Sequence, residues 1–84
     1  MRKKQQKLLQ LIFTDPISAN IKWHDVAVLL KGLGAELEER EGSRVAVYLH
    51  GHVTVQHRPH PGPAMNKGAV KTLRLFLKQC EVQP

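Results

Sequence analysis

At Gly34 the spacing of apolar residues changes from helical steps to strand steps, and this change limits the possible folds more than any other feature of the chain. Before it, Trp23, Val26, Ala27, Leu30 and Leu33 recur three and four residues apart. That spacing predicts an amphipathic helix from Trp23 to Leu33, with Gly34 placed to end it. After Gly34 the period is two. Ala35 and Leu37 alternate with acidic residues, Val45, Val47 and Leu49 with Arg44, Ala46 and Tyr48, and Val53 and Val55 with Thr54 and Gln56. Glu41-Gly42 and His50-Gly51 supply tight turns between the runs, so an antiparallel meander of three strands is expected.

Helices are predicted on both sides of this meander. Leu8, Leu11 and Ile12 share one face of a helix from Arg2 to Phe13, which should stop before Thr14-Asp15-Pro16 because the residue preceding proline is pushed out of the α region. A short extended piece, Ile17 to Lys22, leads into the second helix. Arg58-Pro59-His60-Pro61-Gly62-Pro63 is too rich in proline for strand or helix and reads as a stiff loop. Beyond it, Ala69, Val70, Leu73, Phe76, Leu77 and Cys80 make one apolar stripe on a helix from Asn66 to Gln79. The expected order is α-α-β-β-β-α. This is an α+β class with a three-stranded antiparallel sheet packed on helices and its other face open to solvent. No internal repeat and no long linker divides the 84 residues, and a single domain over 1–84 is expected.

Thirteen Lys and Arg against seven Asp and Glu leave a formal charge of +6. The matching partner is polyanionic: nucleic acid, an acidic protein or an anionic membrane surface. A single cysteine, Cys80, cannot form an intrachain disulfide, so the expected compartment is the cytoplasm. The basic start is followed by Leu8-Leu9-Gln10-Leu11-Ile12-Phe13, shorter and more polar than a secretory or spanning segment, and no membrane association is expected.

Position narrows the choice of partner. Lys67, Lys71, Arg74 and Lys78 are spaced by four, three and four, which stacks them on one face of the last helix as a basic rail for phosphates. For any one of these side chains, a solvated surface role is the plainer interpretation. Asn66 can cap this helix, whose free amides and positive dipole end attract phosphate. The loop brings His57, Arg58 and His60 to the same end, where a histidine can act as general base on a ribose 2′-OH or as general acid toward the leaving oxygen. Loop packing or a simple phosphate contact would serve the same residues equally well. His50-x-His52 and His57-x-x-His60 lack the further ligands that a closed zinc site needs, and no metal is expected. No glycine-rich phosphate cradle, nucleophile elbow or cysteine–histidine constellation is present, so no small-molecule cofactor is expected either.

Read in order, Leu29-Leu30-Lys31-Gly32-Leu33-Gly34-Ala35, Arg40-Glu41-Gly42-Ser43, Val53-Thr54-Val55-Gln56-His57 and Lys67-Gly68-Ala69-Val70-Lys71 resemble the HicA toxins of toxin–antitoxin pairs. The likeness runs over 23–80 and leaves the helix within 1–15 as an addition to the family pattern. It implies a double-stranded-RNA-binding-domain-like fold, ribonuclease activity on messenger RNA without a metal, and restraint by an acidic HicB-like antitoxin. Family members carry a catalytic histidine directly after the Gly-Ser pair, and here Gly42-Ser43 is followed by Arg44. A guanidinium can bind phosphate or stabilise a transition state but cannot serve as a general base. The resemblance therefore leaves His57, which follows the Val-Thr-Val strand, as the acid–base candidate. Arg44 becomes the electrostatic group, Ser43 lies beside it in the catalytic set, and Arg58, His60, Lys67, Lys71, Arg74 and Lys78 hold RNA. Arg44 near the start of the second strand and His57 at the end of the third are candidates for cross-strand neighbours. The alternative function is an RNA-binding module that has lost catalysis along with the family histidine.

Overall fold

The computed structural model describes residues 2–60 and 62–84. Over these the elements run α1 (Lys3–Ile12), α2 (Trp23–Gly32), β1 (Glu36–Arg40), β2 (Arg44–Leu49), β3 (His52–His57) and α3 (Lys67–Gln79). The order and the α+β class are those the apolar spacing implies. The strands form one antiparallel sheet in the order β1-β2-β3.

The turns follow from backbone chemistry. His50 and Gly51 take φ of 49° and 80° between the paired residues Leu49 and His52, the two-residue turn whose twist matches the flanking strands. Gly42 and Ser43, at φ of 72° and 61°, close the β1–β2 connection. Gly34 leaves α2 at φ +98°, where a side chain would be strained. At α3, the Asn66 side chain accepts from Ala69 N at 2.7 Å and caps the helix.

Because the His50-Gly51 turn pairs Leu49 with His52, Thr54 falls opposite Val47 and Gln56 opposite Val45. Val45, Val47 and Leu49 are buried against the helices, and so this register points Thr54 and Gln56 inward with them. Val53 and Val55 point the other way and are 55% and 39% exposed. Period-two alternation does not say which set is buried, and in β3 the buried set is the polar one.

One core joins all three helices to the sheet. It contains Leu9 and Ile12 of α1, Val26, Leu29 and Leu30 of α2, Val47 and Leu49 of β2, and Val70, Leu73, Phe76 and Leu77 of α3. The expected extended piece before α2 is irregular except at Lys22, which bridges to Ala64. Trp23 N donates to Pro63 O and Met65 N to Ile21 O, at 3.0 and 2.7 Å, so the proline-rich loop is tied down where it enters α3. Among the described residues no helix is long and apolar enough to cross a membrane.

Candidate functional site

Arg44 pairs directly with His57 across β2 and β3. One step further along, Arg58 N donates to Ser43 O at 2.9 Å. Antiparallel pairs alternate between bonded and non-bonded types, so Arg44–His57 is a non-bonded pair, the type in which side chains stand closest. Both are exposed, on the face of the sheet away from the helices. The Arg44 Nε donates to Glu41 O at 2.9 Å, which holds the guanidinium beside the β1–β2 turn. Ser43 is exposed in that turn, and its carbonyl is spent on the Arg58 amide.

Next to this pair lies a groove of about 680 Å³ between the end of β3, the loop and the start of α3. Gln56, His57 and His60 line one side, and Asn66, Gly68 and Thr72 the other. With Asn66 engaged by Ala69, nothing among the described residues accepts from the amides of Lys67 and Gly68, and the first turn of α3 holds no acidic residue. The positive end of the helix therefore faces the groove without a counter-charge. Lys67, Lys71 and Lys78 are exposed on the helix exterior.

A family model described as HicA toxin of bacterial toxin-antitoxin matches residues 23–82. The chain belongs to the HicA toxin family. No curated protein and no solved structure matches it. As a HicA-family toxin it has an antitoxin as partner. The HicA segment contains α2, the whole sheet and α3, and with them the Arg44–His57 pair and the groove, while α1 precedes it.

Two basic residues expected to hold RNA, Arg74 of the rail and Arg58 of the loop, are engaged within the fold of this HicA chain. Arg74 is not a free member of the rail. Its side chain is only 12% exposed, and it donates from Nε to Ile12 O at 2.8 Å, from Nη2 to Thr14 O at 3.0 Å and from Nη1 to Asp15 Oδ1 at 3.0 Å. Arg74 follows the buried Val70 by four residues and so stands about 40° round from it, nearer the apolar stripe than the lysines are. There it meets the carbonyls left unpaired at the C-terminal end of α1. Arg58 is ion-paired with Glu39, reaching across the helix-facing side of the sheet end. Lys67, Lys71 and Lys78 remain as the exposed rail, and His60 lines the groove.

Among the described residues no three His, Cys, Asp or Glu side chains come together as metal ligands. His50 instead has its Nδ1 2.8 Å from Cys80 O, and the Cys80 thiol donates to Leu49 O at 3.4 Å, locking the β2–β3 turn to the end of α3. Burial pushes the Cys80 thiol above its ordinary pKa, which keeps it protonated and unreactive.

Sequence reasoning also missed Gln56, which is 2% exposed with no partner for its Nε2 among the described residues. Nothing in the sequence marks it, since a glutamine in a strand is ordinarily exposed. The signal for Arg74 was present in its position next to the apolar stripe and in the Thr14-Asp15 pair that ends α1.

Proposed function

We propose that this HicA-family toxin is a ribonuclease that cleaves messenger RNA in the cytoplasm and is neutralised by an acidic HicB-like antitoxin. The observation that carries the proposal is the Arg44–His57 pair, set beside a groove that ends on the uncompensated N-terminus of α3. The arrangement offers a titratable imidazole, a fixed positive charge and a phosphate seat in one place.

The reaction is metal-independent transesterification. The ribose 2′-oxygen attacks the adjacent phosphorus as it loses its proton, the bond from phosphorus to the 5′-oxygen breaks, and that oxygen takes a proton. The products are a 2′,3′-cyclic phosphate and a 5′-hydroxyl. His57 either accepts the first proton or supplies the second. Arg44, steadied by Glu41 O, offsets negative charge gathering on the phosphoryl oxygens. Ser43, beside it in the turn, is within the catalytic set, and His60, Lys67, Lys71 and Lys78 hold the RNA backbone. Arg58 and Arg74, with their partners in the fold, contribute positive field more than direct contact.

A second function is favoured by one observation, the arginine that follows Gly42-Ser43 where the family carries its histidine. On that account the surface binds RNA without cleaving it. Incubating purified protein with matched RNA and 2′-deoxy-substituted RNA separates the two. The ribonuclease cuts only the first and leaves a cyclic phosphate, and binding of both without cleavage identifies the binding module.

A further inference from the structure

We infer that the groove between β3 and α3 is a seat for one nucleotide of single-stranded RNA, in which Gln56 selects adenine. This deepens the proposed function and rests on its premise that the protein binds RNA. Gln56 lies in β3 opposite Val45, is 2% exposed and lines the groove, yet its Nε2 has no hydrogen-bond partner among the described residues. A buried donor left unpaired opposes folding, and such groups are rare in native proteins. A ligand that supplies the missing acceptor accounts for a glutamine at a position where an apolar residue would suit the core.

The groove gives that ligand its other requirements. The amides of Lys67 and Gly68 have no acceptor among the described residues, and with no acidic residue in the first turn of α3 they form an anion seat for a phosphate. The volume of about 680 Å³ falls within the range of pockets that enclose a small ligand. His60, which also lines the groove, supplies a ring face against which a base can stack. A carboxamide presents a donor and an acceptor side by side, the complement of adenine, which offers its exocyclic amine next to a ring nitrogen. Lys71 stands one position from Thr72 of the groove wall, ready to take the next phosphate of the strand.

The test uses the full chain and four short 2′-O-methyl RNA homopolymers, one of each base, which bind without being cleaved. The wild-type protein is expected to bind oligo-A about tenfold more tightly than oligo-U or oligo-C. The Gln56 side-chain amide signals in a nitrogen–proton NMR spectrum should shift as oligo-A is added. Gln56→Leu should level the ranking of the four without lowering the thermal midpoint, because it removes an unpaired buried donor and keeps the volume. Equal affinity of the wild type for all four, or Gln56 signals that stay put while backbone signals move, overturns adenine selection and leaves RNA binding standing. Failure to bind any of the four overturns both.

Discussion

Arg74 closes on Asp15 with Nη1 to Oδ1 at 3.0 Å, and the same guanidinium donates to the carbonyls of Ile12 and Thr14. One side chain of α3 thus satisfies the end of α1, the helix that lies ahead of the HicA segment. Arg74→Glu should cost about 2 kcal/mol or more, since it leaves those carbonyls unpaired and sets a carboxylate against them. Thermal denaturation followed by circular dichroism should show a midpoint roughly 10 °C lower. Asp15→Ala, at the exposed end of the pair, should cost less than about 1 kcal/mol. An Arg74→Glu protein as stable as the wild type would show that α1 is held by its apolar contacts alone.

Among the described residues Lys71 has no such anchor. Lys71→Glu should therefore leave stability unchanged and weaken RNA binding for every sequence alike, with the slope of log affinity against log salt flatter by about 0.7 for a single strand. Binding isotherms at several salt concentrations measure both quantities. A loss confined to one sequence, or no loss at all, would remove the lysine from the phosphate path.

An acidic antitoxin meets the same field. Charge reversal at Lys67 and Lys71 together should weaken its complex with the toxin and slow association most at low salt. Surface plasmon resonance over a salt series reads the effect, and excess RNA should compete with the antitoxin for the protein. An antitoxin bound solely against α1, with affinity indifferent to both lysines, would place the interface elsewhere.

Cys80 gives the fold a pH dependence whose sign follows from burial. Desolvation raises the folded-state pKa of the thiol, so its contribution is complete below the ordinary thiol pKa and is lost as pH rises through the folded value. Stability should fall above about pH 9, and Cys80→Ala should remove that part of the decline. Denaturant melts of the two proteins across the alkaline range test it. In the native protein the thiol should react slowly with an alkylating reagent, since it is buried and hydrogen-bonded to Leu49 O.

The fold was legible in the sequence wherever a local rule had one outcome. The change of period at Gly34, the His50-Gly51 turn and the Asn66 cap each have a local physical cause, and the structure places each where the residues put it. The Arg44–His57 pairing was legible too, because strand ends joined by a tight turn leave little choice of partner. What could not be read depends on contacts distant in sequence. The inward turn of Gln56 is set by a register counted from Leu49 and His52, and the capture of Arg74 by a helix end about 60 residues away. Helical spacing alone put Arg74 with the lysines, since it measures angle around the helix and not what stands beside it.

The Arg44–His57 pair carries the catalytic prediction. His57→Ala should abolish RNA cleavage and growth arrest, with a rate loss of about 10² to 10⁴, while folding and RNA affinity stay near wild type, because His57 is exposed and its loss removes only proton transfer. Arg44→Ala should lower both affinity and rate, since its charge acts on the phosphate in the ground state and in the transition state. Arg44→His replaces the fixed charge with a second titratable ring directly opposite the first. If it raises the single-turnover cleavage rate, the position after Gly42-Ser43 is confirmed as one that can host proton transfer, and Arg44 occupies it at the expense of rate. Full cleavage by His57→Ala together with loss in His60→Ala would move the acid–base role along the groove to the loop. Cleavage that survives both substitutions would defeat acid–base catalysis by either histidine, and a protein that binds RNA but never cuts it would be the binding module.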